Sequence, residues 1–156
     1  MDETIIKNWN DLVASEDIVY HLGDFGFFSQ KQGEEPLVEQ IRALISRLKG
    51  RIRLVKGNHD ERIPNQTFRD AGMEEAYDRP ILFGDFIIMS HEPVFLQAHS
   101  VFGNIHGHTH QNNYVSSKGK KVQNMYFNAS VDVIQFRPVL LDSIFRKHPE
   151  NEETLQ

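Results

Sequence analysis

Apolar positions fall along this chain in two rhythms, one helical and one extended, and the extended runs end in side chains that bind metals or move protons. Ile5, Ile6, Trp9, Leu12 and Val13 share one face at helical spacing and predict a helix that begins almost at the first residue. The run Ile18-Val19-Tyr20-His21-Leu22 predicts a strand that enters Gly23-Asp24-Phe25-Gly26-Phe27-Phe28, followed by a polar loop from Ser29 to Gly33. Glu34, Glu35 and Pro36 form an acidic first turn, and Leu37, Val38, Ile41, Leu44, Ile45 and Leu48 continue it as an apolar stripe that stops at Lys49-Gly50, the start and stop signals of a helix. A second strand through Ile52, Leu54 and Val55 enters Gly57-Asn58-His59-Asp60. Pro64 to Ala71 predicts a short helix stopped by Gly72.

Further on, Ile81-Leu82-Phe83, Gly84-Asp85 and Phe86-Ile87-Ile88 predict a hairpin with a two-residue turn. The strand Phe86-Ile87-Ile88-Met89 enters Ser90-His91, and a loop with Pro93 and His99 leads to Val101-Phe102-Gly103-Asn104-Ile105-His106, which enters Gly107-His108-Thr109-His110. Tyr114-Val115 and Val122 flank a second hairpin with the basic tip Lys118, Lys120 and Lys121, Met125-Tyr126-Phe127 predicts another strand, and Val139 to Phe145 a final short helix. Strands alternating with helices predict an α/β layered sheet. In such a sheet ligands bind at the carboxyl ends of the strands, where four of these runs deliver Asp, Asn or His.

Composition narrows the chemistry. At 156 residues, with 39% hydrophobic and 25% charged positions, the expectation is one ordinary globular domain over residues 1–148, with a frayed tail over 149–156. No apolar run is long enough to span a bilayer, and Met-Asp-Glu-Thr lacks the basic and apolar parts of a signal peptide, so a cytoplasmic location is expected. The absence of cysteine leaves any metal to His, Asn and carboxylates, a ligand set suited to Mn, Fe, Zn, Ni or Mg. A net charge of -5 argues against strong nonspecific nucleic-acid binding.

A two-metal phosphoesterase needs a bridging carboxylate with imidazoles at the remaining positions. Asp24 supplies the bridge, Asn58, His91, His108 and His110 the other ligands, and His59 a proton donor to the leaving oxygen. Each has a plainer reading: Asp24 as a turn residue, Asn58 as a left-handed turn former, His91 as a surface or core histidine. Asp60 orients its loop, His21 and His106 pack or support ligands, and His99 and His148 lie at the surface. Phe25, Phe27 and Phe28 offer stacking on a base or aryl group, with core or rim packing as the expectation, and the lysine tip is a solvated turn.

Gly23-Asp24, Gly57-Asn58-His59-Asp60, Ser90-His91 and Gly107-His108-Thr109-His110 follow the order and spacing of the second to fifth motifs of the calcineurin-like metallophosphoesterases, and the sequence resembles that family over nearly its whole length. With Asn8-Trp9-Asn10 early and Arg137-Pro138 late, it is similar to the small bacterial and phage members. The resemblance implies a sandwich of two mixed β-sheets flanked by helices, with two divalent cations, Mn first among them, and a phosphodiester or phosphomonoester substrate. It implies that Asp24 bridges the metals, that Asn58, His91 and His108 complete one site, that His110 serves the other, and that His59 is general acid and transition-state stabiliser. These matches favour the ligand readings over the plain ones.

One motif departs from the pattern. Family members begin with a strand ending in Asp-x-His that ligates the metal bound by His110, and no Asp-x-His occurs in these 156 residues. The first strand and two ligands are therefore expected to be missing, by omission or by degeneration, leaving a sheet edge for a partner or a second copy to cover. Two rival readings follow: a catalytically impaired protein-binding scaffold, and a hydrolase using one metal.

Overall fold

The computed structural model describes residues 2–29, 33–97, 100–112 and 125–144. The hairpin expected over 114–122 with Lys118, Lys120 and Lys121, the histidines His99 and His148, Phe145 and the tail all lie outside the described residues.

Helix α1 (Asp2–Leu12) buries Trp9, and Val13 just beyond its end is also buried. The Trp9 indole donates to the Lys49 carbonyl at 2.8 Å, and Asn10 receives the Lys49 N–H at 2.9 Å, so α1 is clamped to the turn after the next helix. Leu12, expected on the apolar face, is 54% exposed. It lies about 60° around the helix from Trp9, on the flank opposite Ile6 and Val13.

β1 (Ile18–His21), β2 (Arg51–Val55) and β3 (Glu75–Tyr77) form a parallel sheet in the order β1-β2-β3. Parallel neighbours require crossovers. Helix α2 (Glu34–Ile45) supplies the first and α3 (Asn65–Asp70) the second. Leu37 and Ile41 of α2 and Phe68 of α3 pack with Ile52 and Leu54 into one core, where Ile41, Leu54 and Phe68 are wholly buried. β3 has no counterpart among the predicted strands. Only Ala76 of its three residues is buried, too short a pattern to register as alternation.

The second sheet runs β4 (Ile81–Phe83), β5 (Ile87–Ser90), β6 (Gly103–His106), β7 (Tyr126–Asn128), with β4 antiparallel to β5 and the rest parallel. Tyr20 of the first sheet meets Phe83 of the second edge to face, at 5.5 Å between ring centres. Two expectations need correction. The β4–β5 turn holds three residues rather than two, because Phe83 pairs with Ile87 and the Phe86 carbonyl instead accepts the Gly103 N–H at 2.8 Å. β6 starts at Gly103 rather than Val101, since Ser100 turns the chain by accepting the Phe102 N–H at 3.1 Å.

The last described helix, α4, covers Leu141–Ile144, and Val139 and Leu140 precede it as exposed residues. Asn8 and the region before Arg137, far apart in sequence, are joined where Asn8 donates to the Phe136 carbonyl at 3.0 Å. Among the described residues no helix is long and apolar enough to cross a membrane.

Candidate metal centre

The loops leaving β1 and β2 lie against each other so closely that neither tolerates a side chain at its glycine. A Cβ on Gly23 would stand 2.6 Å from the Gly57 backbone, and one on Gly57 would stand 2.6 Å from the Asp24 nitrogen. Asp60, wholly buried, ties the two loops together. Its carboxylate accepts N–H groups from Asp24 at 2.7 Å, Gly57 at 3.0 Å and Phe25 at 3.2 Å. Burial pushes this carboxyl up from its ordinary value, against the opposing pull of those N–H donors and with a smaller push from the Asp24 charge. The loop-orienting role read from the sequence is the one its contacts describe.

The second sheet brings His91 and His108 to the same place from the ends of β5 and β6. His91 is 8% exposed, and its Nδ1 lies 2.7 Å from the Leu22 carbonyl oxygen. A carbonyl only accepts, so Nδ1 carries a proton, and in the neutral ring Nε2 is the lone pair. That lone pair faces Asn58 Oδ1 at 3.1 Å, Asp24 Oδ2 at 3.4 Å and His108 Nδ1 at 2.9 Å. His108 can turn one N–H toward Nε2, but the carboxylate and amide oxygens would still face a lone pair. A cation placed among these atoms would stabilise the gathering.

The donor set, two imidazole nitrogens, one carboxylate and one amide oxygen without sulfur, fits a divalent cation of the Mn, Fe, Zn, Ni or Mg type. Donor spacings near 3 Å match neighbouring ligands on a cation with bonds of about 2.1 Å. The ligand atoms of Asp24, His91 and His108 all lie within 4.8 Å of one another, and among the described residues no other trio of His or acidic side chains does so.

His110 stands apart from this cluster. Its side chain is 67% exposed, and Nδ1 lies 3.2 Å from Asp132 Oδ1. Its backbone N–H is received by Ser130 Oγ at 3.1 Å, and its carbonyl accepts from Asn128 at 2.7 Å. Sequence reasoning passed over Asn128, Ser130 and Asp132. The available signal was that β7, like the four other strands, ends in a polar ligand-type side chain. His59 is exposed, with its backbone N–H donated to Asp24 Oδ1 at 3.0 Å and its ring 4.7 Å from that of Phe27.

The supporting histidines behave as packing residues. His21 sits edge-on to Phe25 at 5.1 Å with Nδ1 lacking a hydrogen-bond partner, and burial pushes its pKa down to about 4. His106, 3% exposed, is also lowered by burial.

Backbone conformation marks the same loops. Asp24 (φ 54°), His108 (φ 63°) and His110 (φ 48°) all adopt the left-handed region that non-glycine residues avoid. Strain of order 1 kcal/mol or more per residue persists only where surrounding structure enforces it, and it gathers at functional sites.

Residues 2–128 match the family model for calcineurin-like phosphoesterases. The chain is 32% identical over 152 residues to the uncharacterized protein MJ1445 of Methanocaldococcus jannaschii, a match covering 94% of this chain and 74% of that one. Among solved structures, a protein of unknown function from Aquifex aeolicus, AQ665, superposes with a TM-score of 0.60 at 24% identity, covering 88% of this chain and 80% of its own. The Pseudomonas putida nuclease MPE superposes with a TM-score of 0.49 at 22% identity, covering 70% and 53%. The family match spans most of the chain and takes in the loops that carry Asp24, Asn58, His91 and His108, so this chain belongs to the calcineurin-like phosphoesterases, a family of metal-dependent phosphoesterases in general.

Proposed function

We propose that this chain hydrolyses a phosphodiester or phosphomonoester at the cluster of Asp24, Asn58, His91 and His108, with His59 protonating the leaving oxygen and His110 serving a second cation position. The observation that carries the reading is the gathering of His91 Nε2, Asn58 Oδ1, Asp24 Oδ2 and His108 Nδ1, each of the last three within 3.4 Å of the first. A divalent cation bound there, with Mn the first candidate, would supply positive charge for the phosphoryl oxygens and lower the pKa of water.

The chain's own groups do the rest. The Leu22 carbonyl holds His91 in one tautomer, and Asp60 holds the Asp24 and Gly57 backbones in register, so the donors are organised before a ligand arrives. The His59 N–H bond to Asp24 Oδ1 fixes the backbone from which the imidazole reaches the leaving group.

The test pairs two variants with assays of Mn binding and hydrolysis of an aryl phosphodiester. His108→Ala is expected to lose both cation binding and turnover. His59→Asn is expected to keep the cation and lose turnover by about a hundredfold or more. Full turnover in both variants overturns the proposal. The scaffold reading draws on β1, which has a strand neighbour on one side only among the described residues. Metal-dependent turnover by this chain alone excludes it.

A further inference from the structure

Three phenylalanines follow Asp24 within four residues, and the fold separates them. Phe25 is 8% exposed in the core, and Phe28 stacks on it at 6.3 Å between ring centres. Phe27, between them, is 87% exposed. A phenylalanine that joins a core removes well over 100 Å² of apolar surface from water, and Phe27 gives up nearly all of that gain. It does not stand on a free loop. On one side the Phe25 N–H is held by Asp60, and on the other the Ser29 N–H donates to Gln40 of α2 at 3.1 Å, with Gln40 donating back to the Ser29 carbonyl at 3.3 Å.

The anchored segment sets Phe27 against the ring of His59, with centroids 4.7 Å apart at an interplanar angle of 65°. That contact is edge-on, and with 87% of the residue open a full ring face stays available for stacking.

We infer that Phe27 is a stacking platform, and that the substrate carries a planar ring, a nucleobase or an aryl group, on the oxygen that His59 protonates. The inference rests on the phosphoesterase reading above for the role of His59. A leaving oxygen within reach of the His59 imidazole brings its substituent beside Phe27, because the two rings are in contact. A flat substituent can lie on the open phenyl face, whereas an alkyl or sugar-only substituent gains little there. Net negative charge on the chain disfavours long polyanionic ligands, so a mononucleotide-sized or aryl ester is the matching class.

The experiment is equilibrium binding by calorimetry to the full chain loaded with Mn, using the phosphonate analogues of AMP, phenyl phosphate and ribose 5-phosphate, whose P–C bond is not hydrolysed. Both ring-bearing ligands are expected to bind about tenfold tighter than the ribose analogue, in line with stacking of a base on an aromatic side chain. Phe27→Ala is expected to erase that preference while leaving affinity for the ribose analogue unchanged, and Phe27→Trp to retain it. A tighter hold on the AMP analogue than on the phenyl analogue identifies a nucleobase, and equal or reversed order identifies a simple aryl group. Equal binding of all three ligands, a preference that survives Phe27→Ala, or no binding of any of them overturns the inference. Failure of the phosphoesterase reading shows differently, as absent metal-dependent turnover with the ring preference intact.

Discussion

Asp60 is the residue whose removal reports most directly on how the centre is built. In Asp60→Asn one oxygen survives to accept from Asp24 and Gly57, while the new amide N–H₂ points at the Phe25 N–H, 3.2 Å away in the native structure. The shorter charge-assisted Phe25 bond is lost and a buried donor faces a donor, with only a long 3.4 Å approach to the surviving oxygen left, which together cost about 3 to 4 kcal/mol. Against this, a neutral amide escapes the penalty of burying a carboxylate at a site with no solvent exposure, the effect that pushes the Asp60 carboxyl up, which offsets part of that loss. The net is a loss of about 2 to 3 kcal/mol, or about 4 to 12 °C in Tm for a chain of this size. Asp60→Ala leaves all three N–H groups without an acceptor and is expected to cost more. Thermal unfolding without metal, followed by Mn titration, checks both. If Asp60→Asn is as stable as the parent, or Asp60→Ala is no worse than Asp60→Asn, the carboxylate does not organise the two loops and the argument fails.

Three other outcomes follow from the same geometry. Gly57→Ala puts a Cβ 2.6 Å from the Asp24 nitrogen and 2.8 Å from His91 Cε1, so a loss of about 3 kcal/mol and of Mn binding is expected, while Gly84→Ala, with open space around it, should cost about 1 kcal/mol and leave binding intact. For His21 the folded pKa is about 4 against an ordinary 6.5, so the unfolded chain takes up a proton that the folded chain refuses. Stability should therefore be unaffected by this group above pH 6.5 and fall as the pH drops from 6.5 toward 4, by at most about 3 kcal/mol, with the slope reduced in His21→Phe when both are unfolded by urea. Asp132→Ala removes the partner of His110 Nδ1, and the affinity for a second Mn, followed by electron paramagnetic resonance, is expected to fall 10- to 100-fold with partial rescue by Asp132→Asn. Unchanged affinity would remove Asp132 from the account.

Much of the centre was legible in the sequence because its signals are local. An apolar run that stops at Gly-Asp, Gly-Asn-His, Ser-His or Gly-His-Thr-His marks both a strand end and a donor, and four such runs in one α/β pattern imply one edge. The helices α1 and α2 were equally plain, since Trp9, Leu37 and Ile41 repeat at the spacing that burial requires. Weaker local signals misled. Phe86 looked like a strand residue but is held in a turn by Gly103, and β3, with one buried residue, gave no alternation at all.

Most helices and strands, and the side chains at their ends, were thus set along the chain by sequence alone, because hydrophobic rhythm and turn chemistry act over a few residues. Tertiary structure decided the distances. The tautomer of His91 depends on a carbonyl 69 positions away at Leu22, and the posture of Asp24 on a carboxylate 36 positions away at Asp60. Whether Phe27 is buried like Phe25 or open beside His59 also follows from how the loop is pinned to α2. Such contacts form or fail within a few tenths of an ångström, a tolerance that only the packed sheets and their connecting loops can set.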